Sequence, residues 1–417
     1  MPTPTDLSNW SSTVRFQPQR FEQPTTVDEL TDVVAGSGDV RVLGTAHSFS
    51  TIADTSGTLV STRRLPKVVR IEPDGRVHVS SSVTYGELAV FLTLNGRALE
   101  NMGSLPHISV IGAVSTGTHG SGDSNRILGG SVTSLNMVTS IGRVVRVDHD
   151  HPDFAGAVVG LGALGCVTEV TLQTVPAYSV QQEPFHGVTW DETLNAFDAI
   201  MAAGHSVSVF TDWVDPTVTE ILVKRALSPS GLSELPDVLE RRRPTHAGGS
   251  RFAQTPTGFP VNWDQALPHF RANLPPSAGG DEIQSEYFVS RADALAALNA
   301  IHQIGPRLAD HLHISELRTV AADRLWMSGS YEQASLGIHF TWRRRPREVA
   351  ALVALVENAL EPFKPRPHWG KFASDHAFAS SRAVRPRLED FAELADRFDP
   401  RRALRNSFVR RILDGTT

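Results

Sequence analysis

Apolar positions recur at helical spacing early in the chain: Leu30, Val33 and Val34 follow Thr26 to Glu29, whose Thr-x-x-Glu pattern predicts a capping box at a helix start. The short apolar run Asp39 to Leu43 predicts a strand that stops at Gly44. Val68 to Ile71 and Arg76 to Ser80 flank Pro73-Asp74-Gly75 as a hairpin, and Tyr85 to Leu94 reads as a helix stopped by Asn95-Gly96. Val144 to Val147 returns as a strand after Gly142. Beyond about residue 177, long helical patterns at Ala292 to Ile304 and Glu348 to Leu360 alternate with strands at 206–212, 218–224, 282–288, 313–319 and 337–342. The chain is therefore read as α+β in two domains, with many hairpins in the first. Residues 228–280 are rich in Pro, Gly and Ser and carry Arg241-Arg242-Arg243, which predicts a long surface loop with a solvated charge run.

Composition narrows the function. A length of 417 residues allows two or three domains. The 39 basic and 45 acidic residues give a net charge of -6 without long single-sign blocks, which argues against a nucleic-acid partner. The single cysteine, Cys166, cannot form an intrachain disulfide or a cysteine-rich zinc site, and fits a cytoplasmic setting. Met-Pro-Thr-Pro-Thr-Asp at the N-terminus lacks the basic start and apolar run of a signal peptide. The longest uncharged stretch, 101–122, is broken by Pro106, His107, His119 and several glycines, so no membrane span is expected. His311 and His313 are spaced as possible metal ligands but have no third ligand in a supporting motif, so no metal is expected. Only 4 of the 39 basic residues are Lys, so each lysine stands out.

Three segments carry candidate chemistry. Gly160-Leu-Gly162-Ala-Leu-Gly165 fits G-x-G-x-x-G, but a helix-like Phe154 to Val159 precedes it and the alternating strand Val167 to Leu172 follows, the reverse of a dinucleotide-binding turn. It reads instead as a glycine turn passing close to something flat or anionic. In Arg41-Val-Leu-Gly-Thr-Ala-His-Ser-Phe-Ser50, a strand runs into small residues whose backbone N–H groups can form an anion-holding nest suited to a diphosphate. His47 within it is not needed for phosphate. The third segment, Asn101 to Gly120, is charge-free and dense in small residues, as suits a wrap around a planar cofactor. Its Ala113-Val-Ser115-Thr-Gly117 loosely resembles a nucleophile elbow, which keeps a serine hydrolase as a different class of reading, although no strand-to-helix turn is evident there.

In the second half, residues i and i+2 of a strand share a face. Gln284 with Glu286, Glu316 with Arg318, and His339 with Thr341 each place a polar pair on one side. Such a face is either solvated or lines a pocket, and Phe340 and Trp342 opposite His339 favour the pocket.

Together, His47 after Gly-Thr-Ala, Gly117-Thr118-His119-Gly120 and Gly162-Ala-Leu-Gly165 resemble the vanillyl-alcohol-oxidase-type FAD domain. Ser315-Glu316-Leu-Arg318-Thr-Val-Ala-Ala-Asp323, His339-Phe-Thr341-Trp342 and Arg366-Pro-His368-Trp369-Gly370-Lys371 resemble the substrate half of bacterial alditol (xylitol) oxidases. The resemblance runs nearly end to end. The His-Trp-x-Lys element is shared with sugar-lactone oxidases of the same superfamily. The chain departs near its end, where the family's Lys-Phe after Asp-Pro is replaced by Arg401-Arg-Ala-Leu-Arg405.

That resemblance implies an FAD-binding domain over 1–176, a substrate-binding domain over 177–372 with an antiparallel sheet and helices, and a return to the FAD domain over 373–417. It implies a covalent FAD on His47, through an imidazole nitrogen left open. It assigns FAD contacts to Arg41, Val42, Leu43, Gly44, Thr45, Ala46, His47, Ser48, Gly103, Ser104, Gly112, Thr116, Thr118, His119, Gly120, Gly165, Val167, His368 and Lys371. Ser104, Gln284 and Thr341 would bind substrate, while Lys371, Arg318, Glu316 and His339 would be catalytic. The implied reaction converts a terminal primary hydroxyl of a polyol to the aldose, by hydride transfer to flavin, with oxygen giving hydrogen peroxide. Gly103 would leave oxygen a path to the flavin edge, because glycine has no Cβ. No further subunit is required by this scheme. A sugar-1,4-lactone oxidase or dehydrogenase on the same scaffold is the alternative.

Overall fold

A computed structural model describes residues 7–243 and 249–415. Met-Pro-Thr-Pro-Thr-Asp and residues 244–248 of the proline-rich segment lie outside the described residues. The first helix, Val27–Gly36, starts where predicted, and the Thr26 side chain accepts the Glu29 N–H at 3.1 Å. The Glu29 carboxylate turns to Thr25 instead, so the capping box is half formed. Leu30 and Val34 of this helix are fully buried among Val40, Val60, Leu65 and Leu404. At about 2 kcal/mol for each buried side chain, this contact ties the helix to a parallel sheet of Arg20–Glu22, Thr58–Ser61 and Val40–Leu43.

The predicted hairpin, Val69–Ile71 with Val77–Ser80, is one edge of a five-stranded antiparallel sheet continuing through Cys166–Leu172, Val132–Val138 and Val144–Asp148. The helix Tyr85–Leu94 has the full capping box, Thr84 with Glu87, and buries Tyr85, Leu88, Ala89 and Leu92 on one face.

The second half builds an eight-stranded antiparallel sheet in the order Pro260–Asn262, Ser179–Phe185, Glu220–Ala226, Ser206–Thr211, Leu312–Val320, Ser335–Arg343, Glu282–Ser290, Arg366–Pro367. One face of its centre is apolar: Phe340 stacks on Trp342 at 5.1 Å, and Trp342 Nε1 donates to Ser285 Oγ. Helices Ala294–Leu308 and Pro346–Leu360 accompany this sheet and bury Leu298, Ile301, Val353 and Val356. Gly305 lets the first helix close on Trp213, because a Cβ there would sit 2.4 Å from the Trp213 carbonyl oxygen.

Residues 249–280 correct the expectation of a surface loop. Pro260–Asn262 pairs at the sheet edge, and Trp263 and Ala266 of the next short helix are fully buried. The segment has little repeating structure, so no apolar periodicity announced its burial. The charge run is engaged rather than only solvated, since Arg242 bonds Glu192 and Arg243 pairs with Glu240. No helix among the described residues is long and apolar enough to cross a membrane.

Candidate active site

A cavity of about 520 Å³ runs from the His47 segment to the polar face of the eight-stranded sheet. At one end the strand Val40–Leu43 delivers the chain into Gly44 to Ser48. Among the described residues, the backbone N–H groups of residues 45–48 find no acceptor within the chain, as a nest awaiting an anion would require. Ala46 sits in the left-handed region at φ 58, and its carbonyl is held by the Trp10 N–H at 2.9 Å. The backbone strain of about 1 kcal/mol is thus borne where His47 turns into the cavity. His47 Nδ1 is buried without a hydrogen-bond partner. Burial, then the nearby His107, pushes the imidazole down to about 4, so it is neutral at ordinary pH.

Arg41 is buried, and its guanidinium donates to the carbonyls of Ile52, Leu161, Gly162 and Leu404. Those bonds occupy the whole donor set, so its side chain organises the glycine turn rather than holding a phosphate. That turn, with Leu161 and Gly162 both left-handed, lies between the helix Phe154–Ala157 and the strand Cys166–Leu172, as the sequence order required. Ser115 ends the helix Val110–Ser115, so no strand-to-helix elbow presents it as a nucleophile.

At the other end, the three polar strand pairs meet on one buried face. In register, Glu286 and Glu316 both lie opposite His339, and Gln284 lies opposite Thr341. Arg318 Nη2 donates to Glu286 Oε1 at 2.8 Å, and His119 Nε2 reaches the same oxygen at 3.0 Å. Burial alone would raise the Glu286 carboxyl, but Arg318, His119 and His339 outweigh it and hold it well below the usual carboxylate range. Glu316 is likewise raised by burial and pulled down to about 2 by Arg318, His269 and His339. For Arg318 burial works against the cation, yet Glu316 and Glu286 raise its pKa on balance. Lys371 closes the His368–Lys371 turn, which runs beside the Glu282–Ser290 strand through bonds from the His368 and Phe372 N–H groups to the Glu286 and Gln284 carbonyls. Its ammonium bonds Gln284 Oε1, lies 5.6 Å from the Phe49 ring centre, and is lowered by burial to about 8. Glu316 Oε1, Arg318 Nε and His339 Nδ1 are buried without hydrogen-bond partners.

The cavity therefore brings together all the sequence-predicted positions except one. Gly120 is not on the wall; it packs against Asn101 and Met102, and its carbonyl bonds His119 Nδ1 at 2.8 Å. Sequence reasoning missed Glu286 as the hub, although it noted the Gln284–Glu286 pair, and missed His269, Phe210 and the wall from Arg251 to Gln254. One ligand atom each from His119, Glu286 and His368 lies within 4.8 Å of the others, yet Arg318 already occupies this cluster as its cation.

Two family descriptions match the chain: "FAD binding domain" over residues 18–148 and "D-arabinono-1,4-lactone oxidase" over residues 281–412. An alditol oxidase from a Streptomyces species is 41% identical, covering 99% of this chain and 100% of that protein. An L-gulono-1,4-lactone dehydrogenase from Mycobacterium tuberculosis is 27% identical over 97% of this chain and 98% of that protein. Among solved structures, cholesterol oxidase from B. sterolicum superposes with a TM-score of 0.74 at 13% identity, covering 99% of both chains, a likeness of fold.

Proposed function

Because the chain belongs to the alditol oxidase family of FAD-dependent enzymes, we propose that it oxidises a terminal primary hydroxyl of an open-chain alditol, xylitol or sorbitol in type, to the aldose while oxygen becomes hydrogen peroxide. Among the described residues the lining fits FAD: the nest N–H groups that find no acceptor suit a diphosphate, no carboxylate lines the His47 end of the cavity, and His47, whose Nδ1 is unpartnered, lines that end. When bound, FAD supplies the acceptor for the hydride. His47 Nδ1, neutral and unpartnered, is the proposed point of covalent attachment.

The observation that carries the alditol reading is the polar lining of the sheet end of the cavity, where Gln284, Glu316, Arg318, His339, Thr341 and Lys371 meet. The Glu316 carboxylate accepts hydroxyl hydrogens, while the Arg318 guanidinium and the Lys371 ammonium donate to hydroxyl oxygens, as vicinal hydroxyls demand. Arg318 and Lys371 stabilise negative charge developing on the oxygen that loses its proton, about 3 kcal/mol for each well-aimed donor. Gln284 and His339 with Thr341 hold the remainder of the chain of hydroxyls. Glu286 keeps Arg318 in place and charged. This chemistry calls for neither a metal nor a second subunit, and the lone buried Cys166 supports a cytoplasmic setting.

The cofactor-binding part is assigned to residues 1–176 and 373–417 and the substrate part to 177–372. The Arg401–Arg405 departure leaves that return docked, since Leu404 binds Arg41, and Asn406 Nδ2 reaches the carbonyls of Thr51, Ile52 and Asp54. A second reading, a 1,4-lactone oxidase or dehydrogenase, is favoured by the match over residues 281–412. The test is peroxide formation from a panel of alditols and 1,4-lactones with purified yellow protein. Turnover of alditols above lactones supports the first reading, and the reverse order overturns it.

A further inference from the structure

His269 stands behind the substrate face in a built position. The Lys224 ammonium, buried, bonds the Leu267 and Pro268 carbonyls, and the His269 and Phe270 N–H groups both donate to the Ser104 carbonyl at 3.2 Å. The Phe210 ring meets the imidazole edge-on, with centroids 5.8 Å apart. So fixed, His269 places Nδ1 2.8 Å from Ser104 Oγ and Nε2 3.5 Å from Glu316 Oε1 and from Ser208 Oγ. Burial, then Lys224, pushes this imidazole down to about 3, so it carries one proton at ordinary pH. The nitrogen facing the Glu316 carboxylate holds that proton, because a bare lone pair there would face an anion. Nδ1 is then an acceptor, and the one hydrogen of the Ser104 hydroxyl is spent on it.

We propose that His269, by taking the Ser104 hydrogen, makes Ser104 an acceptor only toward the cavity, and so is the positioning residue that requires a hydroxyl rather than an ether, carbonyl or fluorine at that point of the substrate. Arg318 Nη1 gives Ser104 Oγ one long bond at 3.5 Å, which leaves the second lone pair of that oxygen for the cavity that Ser104 lines. An acceptor with no hydrogen of its own to offer rewards a substrate group that has hydrogen to give, and its last lone pair goes unpaired when the group has none. The inference rests on the alditol reading and deepens it, since every carbon of an alditol carries such a group.

The test uses the flavin-loaded enzyme and an alditol series in which each hydroxyl beyond the oxidised one is replaced in turn by fluorine, an atom of similar size with no hydrogen to donate. At one position the wild type should prefer hydroxyl over fluorine by about tenfold or more in kcat/KM, mainly through KM. His269→Leu and Ser104→Ala should each lose that preference, the double variant should lose no more than either, and His269→Asn, whose side-chain oxygen can stand where Nδ1 stood, should restore it. Retention of the preference in His269→Leu overturns the inference. If that variant does not fold, retention in Ser104→Ala does so. A wild type that oxidises alditols with no such preference at any position overturns the inference alone, whereas flavin reduced by lactones and by no alditol overturns the alditol reading with it.

Discussion

The Trp10 indole stacks on the His47 imidazole, with ring centroids 5.6 Å apart and planes inclined by 27°. The Trp10 N–H also holds the carbonyl of left-handed Ala46, so one residue fixes both the ring and the strained turn beneath it. His47→Ala is expected to leave no flavin in an acid-precipitated pellet. Trp10→Ala keeps the backbone bond but frees the ring, and should lower the acid-stable flavin fraction several-fold in folded protein. A full acid-stable yield in Trp10→Ala would remove the indole from this role.

Lys371 gives the pH profile its sign. Burial lowers its pKa to about 8, so the ammonium is present below that pH and lost above it. Glu286 and Glu316 are held low, Arg318 high, and His269, His339 and His368 low, so none of them changes charge near pH 8. Alditol kcat/KM should fall above about pH 8. Lys371→Arg should retain flavin, turn over more slowly and lose that limb, while Lys371→Met should cost about 10²-fold at neutral pH. A limb that persists unchanged in Lys371→Arg belongs to another group.

The other buried lysine acts on stability. Burial pushes Lys224 down to about 7, against 10.5 for the ordinary side chain. Between those values the unfolded chain binds more protons than the folded one, so folded stability rises with pH, by up to about 1.4 kcal/mol per pH unit for this group. Relative to Lys224→Met, wild type should gain stability from pH 7 toward 10.5 in denaturant melts. Parallel pH profiles for the two proteins would contradict it.

Gly103 permits a clean test of oxygen access. A Cβ there would lie 3.5 Å from the His119 carbonyl oxygen and 3.8 Å from Leu128 and Thr118, ordinary contact distances, and its φ is not in the left-handed region. Gly103→Ala should therefore fold, hold flavin and be reduced by alditol under nitrogen at a near-normal rate. Its reoxidation by oxygen in stopped flow should slow at least several-fold, since one methyl group narrows a close-packed path. An unchanged reoxidation rate would dismiss the gate.

Glu286→Gln removes the charge on which Arg318 and His119 converge. Breaking a buried pair by changing one partner costs about 3 kcal/mol, so the melting temperature should drop markedly and alditol turnover should fall with it. A variant as stable and active as wild type would show that Arg318 needs no anchor.

The Asn95-Gly96 stop made the Tyr85 to Leu94 helix legible, and polar residue types at i and i+2 picked out the 282, 312 and 335 strands although both faces of those strands are buried. The i, i+2 pairs likewise announced a polar face, and scarcity singled out Lys371. Glu286 was harder to recognise as the hub because its importance depends on Arg318, His119 and His339 converging from other strands and a loop, which spacing does not encode. His269 lay in an aperiodic, proline-rich stretch whose burial comes only from tertiary packing against Phe210 and Lys224. The C-terminal helices Leu388–Phe398 and Ser407–Asp414 are amphipathic and were open to the same analysis as the earlier ones.

The guanidinium of Arg41 bonds the carbonyl of Leu404, 363 positions downstream, as well as those of the glycine turn. A ribosome making this chain exposes the nest long before residue 404 has left the exit tunnel. Until then the His47 end of the cavity lacks its backing, and the arginine has a donor without its native acceptor. Cofactor capture is therefore expected to wait for nearly complete synthesis, and a nascent chain stalled short of Leu404 should emerge colourless even in a cell rich in flavin.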